Sequence, residues 1–268
     1  MGAAPQKIAR PRIVHGGARL LRLAPAITVA LFLLPILAGL VGTALPAFGY
    51  LPAIGGREFS LAPWRGLFTY PGIAGALRLS IASGLATTAL ALLLALGATA
   101  LMHGRPALRR LQSAMAPILA APHSAVAIGF GFLIAPSGWL VRLVSPWATG
   151  FDRPPDIATT QDAWGLALTA GLLLKEVPYL MLMALAALNQ VPTRQHLAIG
   201  RSLGYGAGIA WLKLVLPQLY PQLRLPIYAV LAFSLSVVDV ALILGPGNPP
   251  PLSVLATRWF ADPDVGLY

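Results

Sequence analysis

LSIASGLATTALALLLALGATALM, the stretch from Leu79 to Met102, carries no charged side chain. A helix rises 1.5 Å per residue, so about 20 apolar residues cross a bilayer, and a helix leaves no backbone group unpaired in hydrocarbon. The stretch reads as a transmembrane helix, extended back through Arg78 to Ile73. Arg78 then sits at its outer start, where a long side chain reaches to the headgroups. Four further segments have the same character: about Ala24 to Phe48, Leu111 to Ala135, Ala163 to Leu188 and Leu223 to Leu244. The expected fold is therefore all-α, a polytopic transmembrane bundle of five spans and one membrane domain covering 24–268.

Composition agrees. Of 268 residues 57% are hydrophobic and 10% are charged, against about a quarter charged in ordinary soluble domains. The net charge of +11 does not read as nucleic-acid binding, because the basic residues sit in short segments between apolar runs. They follow the rule that cytoplasmic loops hold the excess of Lys and Arg. With the N-terminus inside, Lys7, Arg10, Arg12, Arg19 and Arg22 precede span one in a cytoplasmic segment over 1–23. Arg105, Arg109 and Arg110 follow span two, and Arg194, Arg201, Lys213 and Arg224 follow span four. Arg57, Arg65, Arg142, Arg153 and Arg258 fall outside, as do Glu58, Asp152, Asp156, Asp162, Asp262 and Asp264. The first apolar run is longer than the 7–15 residues of a signal-peptide core, so it reads as an uncleaved span. The outer segments, Leu51 to Gly72 and Pro136 to Asp162, are rich in Pro, Gly and Trp and suit short interfacial helices and turns. Pro246 to Tyr268 reads as a proline-rich outer loop awaiting a sixth span.

Catalytic signals are absent from the sequence. There is no cysteine and no G-x-x-x-x-G-K-[ST]. His15, His103, His123 and His196 have no metal-ligand spacing. No cofactor is expected in the chain itself. Two intramembrane features carry charge. Lys175-Glu176 lies about twelve residues, or ~18 Å, into span four, and Asp239 lies near the outer end of span five. Charges at depth face a bundle interior or a water path, so all three are candidate translocation-path residues, with neutralisation by neighbouring helices as the alternative. Neighbours on a helix point about 100° apart, so Lys175 and Glu176 cannot face one partner together. His123, between prolines, reads as a packed polar residue.

The segment 190–221 is too long for a connector. Leu197, Gly200 or Arg201, and Gly204 share helical spacing, glycines follow at 204, 206 and 208, and a second amphipathic stretch, Ile209 to Leu216, ends at Pro217. It reads as a helix, a sharp turn and another helix at the membrane surface. A hairpin lying on lipid is an equal alternative.

Ala198-Ile199-Gly200-Arg201-Ser202-Leu203-Gly204, followed after twelve residues by Pro217 in Leu214-Val215-Leu216-Pro217, resembles the EAA loop of binding-protein-dependent ABC importer permeases. Gly204, Leu216 and Pro217 match that pattern in register. Ala198 stands where the pattern has Glu, and Ile199 and Gly200 where it has Ala, so an acid-mediated ion pair is missing. Met115-Ala-Pro117 to Pro122-His123, Gly129-Phe-Gly131, and Ser234 to Gly245 are similar to segments of the thiamine and ferric-iron importer group, many of whose members are fused double permeases. The resemblance covers roughly 75–246 and would match the first copy. It implies a type I importer fold in the bacterial inner membrane, a non-enzymatic transport subunit, and ATP bound by a partner. The implied partners are a cytoplasmic ATPase dimer, a periplasmic solute-binding protein and a second permease copy. In it, Ala198–Gly204 would sit in a cleft of the ATPase, Gly204 would make the turn, and Pro217 would open span five. From a different class, an ion-coupled secondary transporter or channel would use Lys175, Glu176 and Asp239.

Overall fold

The computed structural model describes residues 15–262. All regular elements among them are helical. The expected basic N-terminal segment falls largely outside the described residues, as does the end of the chain from 263 on. Four helical segments are long and apolar enough to cross a membrane: Leu23–Ala47, Ile73–Met102, His123–Val144, which is interrupted between 135 and 138, and Leu166–Leu188. The protein is an all-α, multi-pass membrane protein. Its backbone divides into two compact units, Met1–Thr69 and Tyr70–Tyr268.

In the first unit, α1 (His15–Ala47) is a long apolar helix whose side chains are exposed from Leu23 to Ala44. Beyond it the chain makes a tight return, in which Leu51 and Gly56 exchange backbone hydrogen bonds and Ser60 N–H donates to the carbonyl of Phe48. Helix α2 (Ala62–Thr69) follows. Phe48 packs on Trp64 with ring centroids 6.1 Å apart, and Tyr50 stacks on Phe59 at 5.3 Å. Aromatic rings with polar edges are favoured at the boundary between hydrocarbon and water.

The second unit is built on α3 (Ile73–Met102) and α7 (Leu166–Leu188), its most closely associated helices. The buried stripe of α3 is made of small residues: Ala76, Ser80, Gly84, Thr87, Ala91, Ala95 and Thr99. Small side chains let helix backbones approach, which is how helices associate where lipid removes any hydrophobic drive between them. Ser83, Thr88 and Thr99 donate their hydroxyls back to carbonyls of α3 itself, those of Leu79, Gly84 and Ala95, so these polar residues are buried without loss.

The third expected span, Leu111 to Ala135, is not one helix. It is α4 (Pro106–Ala120) and α5 (His123–Ile134), broken at Ala121-Pro122, and a short α6 (Trp139–Val144) follows. Proline cannot donate, and it pushes the residue before it out of the helical region, as the extended ψ of Ala121 (145°) records. The fifth expected span, Leu223 to Leu244, is likewise interrupted. Helix α10 (Leu216–Ser236) ends at an extended Val237, and α11 (Asp239–Leu244) starts afresh. The expected C-terminal loop also proves partly helical. Helix α12 (Leu252–Phe260) buries Val254 and Leu255. It is pinned to α3, because Leu252 N–H donates to Ser80 Oγ at 2.7 Å, and Tyr70 meets Trp259 edge to face at 4.9 Å.

Three apolar clusters run along the unit. Leu168, Leu172, Leu244 and Val254 fill one. Ala91, Leu180, Met181 and Val230 fill the next, and Ala184, Trp211, Val215 and Leu219 the last.

Candidate functional site

The segment between α7 and α10 folds as a helical hairpin. Helix α8 covers Thr193–Ser202. It ends in paired backbone bonds: Tyr205 N–H donates to the carbonyl of Gly200 at 2.9 Å, and Gly204 N–H to that of Arg201 at 3.0 Å. This pattern closes a helix with a left-handed residue, and Gly204 has φ +77°. Helix α9 (Ala207–Ala210) then passes through a π turn, Trp211–Val215, into α10 with no break. Pro217 lies in the first turn of α10, which the π turn joins to α9. The wider turn just before it, closed by Leu216 N–H on the carbonyl of Trp211, accommodates the ring and its missing donor.

Two contacts hold the arms of the hairpin together. Gly200 is buried against Ala210: a Cβ there would stand 2.6 Å from Ala210 Cβ and 3.2 Å from Leu214 Cδ1. His196 Nδ1 lies 3.0 Å from the carbonyl of Pro192, and its Nε2 lies 2.7 Å from Gln218 Nε2 on α10. A carbonyl only accepts, so Nδ1 carries the hydrogen and Nε2 accepts from the Gln218 amide. Lys213 Nζ sits 4.8 Å above the Tyr205 ring. Facing outward are Ala198, Arg201, Ser202 and Gly204, with Ile199 51% and Leu203 60% exposed. Of the residues singled out beyond the turn, Leu216 is half-buried and Pro217 exposed. Beside the hairpin a cleft of about 700 Å³ is lined by His103, Arg105, Gln112, Asn189 and Arg194. The α3–α4 and α7–α8 turns thus lie at one end of the unit, where the sequence puts its basic segments.

Lys175 and Glu176 are nine-tenths buried on α7. They have different partners, as their angular separation requires. Lys175 Nζ donates to the carbonyls of Leu119, at 3.2 Å, and Ala121. Those carbonyls belong to the end of α4, where the break at Pro122 leaves them without helical donors. Glu176 instead faces α5: its Oε1 lies 3.6 Å from His123 Nε2. His123 packs its ring on Phe233 of α10 at 4.5 Å. Together these groups line a cleft of about 270 Å³ with Leu119, Tyr179 and Val230. His123 thus packs as expected, and it also faces the carboxylate, a pairing invisible in sequence because the two lie on different helices. Asp239 is exposed at the start of α11 and lies outside the cleft. Arg78 stays close to its own helix, donating from Nε to the carbonyl of Ala74 at 3.2 Å. No cluster of three metal-ligating side chains occurs among the described residues.

No family model matches the chain. It is 34% identical over 206 residues to the inner membrane ABC transporter permease protein YnjC of Escherichia coli (strain K12), a match covering 77% of this chain and 38% of that protein. The chain therefore spans well under half the length of the relative it matches. Over three quarters of its own length, this all-helical, multi-pass chain is similar to a permease of the ABC transporter class.

Proposed function

We propose that the chain is the permease subunit of an ATP-binding cassette importer, set in the bacterial inner membrane with its N-terminus cytoplasmic. It forms the translocation path for a small solute delivered by a periplasmic binding protein, together with a second permease copy, fused or separate. A cytoplasmic ATPase dimer drives it through α8. One observation carries the reading: α8 and its C-cap offer an exposed Ile199 and Leu203 beside the exposed Arg194 and Arg201, on a hairpin locked by the Gly204 turn and the Gly200–Ala210 contact. An apolar pair rimmed by charge suits the centre of a small protein interface. Ala198 supplies no acid, so the contact relies on packing and on the arginines.

The relative's printed name supports the ABC permease class and the inner membrane for this chain. The fused double-permease reading fits a chain that spans 38% of that relative. The ion-coupled alternative draws on the buried Lys175 and Glu176.

Co-expression with a candidate ATPase separates the two. A permease retains the ATPase through purification and raises its ATP turnover, and Ile199→Asp with Leu203→Asp releases it. Uptake that follows an ion gradient and ignores ATP refutes the proposal.

A further inference from the structure

We infer that the cleft between α4–α5, α7 and α10 is a transit site for the positively charged head group of a solute, with Glu176 as its counter-ion. The inference rests on the permease reading and goes beyond it by assigning the site and the chemical class of the ligand.

The charges in the cleft are unequally satisfied. Lys175 also lines the cleft, but it spends its ammonium on the carbonyls of Leu119 and Ala121 and so closes the helix break. An anionic ligand would have to pull it from both acceptors. Glu176 is in the opposite position. It is 5% exposed, it lines the cleft, and its one ionic contact among the described residues is His123 Nε2 at 3.6 Å, beyond hydrogen-bond distance. A carboxylate has about four acceptor positions, and burying it without donors is costly. What Glu176 lacks, among the described residues, is a hydrogen-bonded partner of its own.

Its walls fit the same ligand. Phe233, Tyr179 and the His123 ring line it. Aromatic faces attract cations, most strongly where water is excluded. One carboxylate and one imidazole are too few for a divalent metal, which takes four to eight ligands. At about 270 Å³ the cleft is at the small end of ligand sites, sized for a head group rather than a large solute. A site beside the break in α4–α5 and the end of α10 can also let go, because both elements are already interrupted there.

The test uses the full chain in complex with its ATPase, in a neutral maltoside detergent. Saturation-transfer NMR reads binding of tetramethylammonium and guanidinium, with sulfate and glucose as controls and empty micelles as blank. The expected result is millimolar binding of the two cations alone, weakened at least about tenfold in Glu176→Gln and kept within about tenfold in Glu176→Asp. Glu176→Asp also guards against a Gln variant that fails to fold. Sulfate binding in place of the cations, no cation binding to the wild type, or equal cation binding by a folded Glu176→Gln protein overturns the inference. ATP turnover is read on the same samples. Cation binding without any ATPase association defeats the permease reading instead, so the two failures are distinguishable.

Discussion

Gly204 offers a quantitative test of the hairpin, because its environment isolates a single physical effect. Its φ is +77°, and a Cβ built on it would meet nothing within 4 Å. Substitution therefore costs backbone strain alone. For an L-residue the left-handed region costs roughly 1–2 kcal/mol, a β-branched side chain lies at the upper end, and Asn is the non-glycine residue that tolerates it best. About 2 kcal/mol lowers the population of the closed turn about thirtyfold, taking a factor of ten per 1.4 kcal/mol. The bonds from Tyr205 and Gly204 to Gly200 and Arg201 weaken together, since one backbone angle aligns both. Gly204→Val is expected to abolish ATP-driven transport while leaving membrane insertion intact, with Gly204→Ala intermediate and Gly204→Asn close to wild type. The assay is ATP turnover and solute uptake of the reconstituted complex, normalised to inserted protein. Normal transport by Gly204→Val refutes the coupling role. Asn as damaging as Val refutes the strain argument, because it would mean that a side chain, not the backbone angle, is sensed.

The second glycine acts by contact. Gly200→Ala drives a methyl against Ala210 and Leu214, an overpacking cost of about 1–3 kcal/mol. Ala210→Gly in the same chain should restore ATP turnover, which no general loss of helix propensity would do. Ser80→Ala removes the acceptor for Leu252 N–H and should cost about 1–2 kcal/mol, seen as faster proteolysis of the 246–262 segment with the transmembrane part intact. Lys175→Met leaves the carbonyls of Leu119 and Ala121 unpaired and should lower the thermal midpoint in detergent, by about 1–3 kcal/mol of stability. An unchanged midpoint would mean that water replaces the ammonium there.

The second and fourth apolar runs proved readable to the residue or nearly so: Ile73–Met102 matches its expected span, and Leu166–Leu188 lies three residues inside the expected start. The hairpin was legible as well, since a glycine at a helix end is a local instruction. The third and fifth runs misled because hydropathy does not register a break. Ala121-Pro122 and Val237-Val238 are as apolar as their surroundings, so composition joins what the backbone separates. Pro122 was a visible hint. Nothing local marks Val237, where Ser253 Oγ of α12 donates to the carbonyl at 2.6 Å. The same blindness hid α12, which starts directly after a run of prolines, Pro249 to Pro251, that announces a loop.

Sequence by itself determined that this chain lives in a membrane, and where it turns back at its basic hairpin. Those properties depend on segment length, on charge, and on which residue tolerates a positive φ, all of them local. The tertiary structure alone decided what the buried charges do. Lys175 finds its acceptors 54 and 56 residues earlier in the chain, and Glu176 meets His123 across a helix interface. A charge in hydrocarbon is stable only beside a specific partner, and which partner that is depends on how the helices pack.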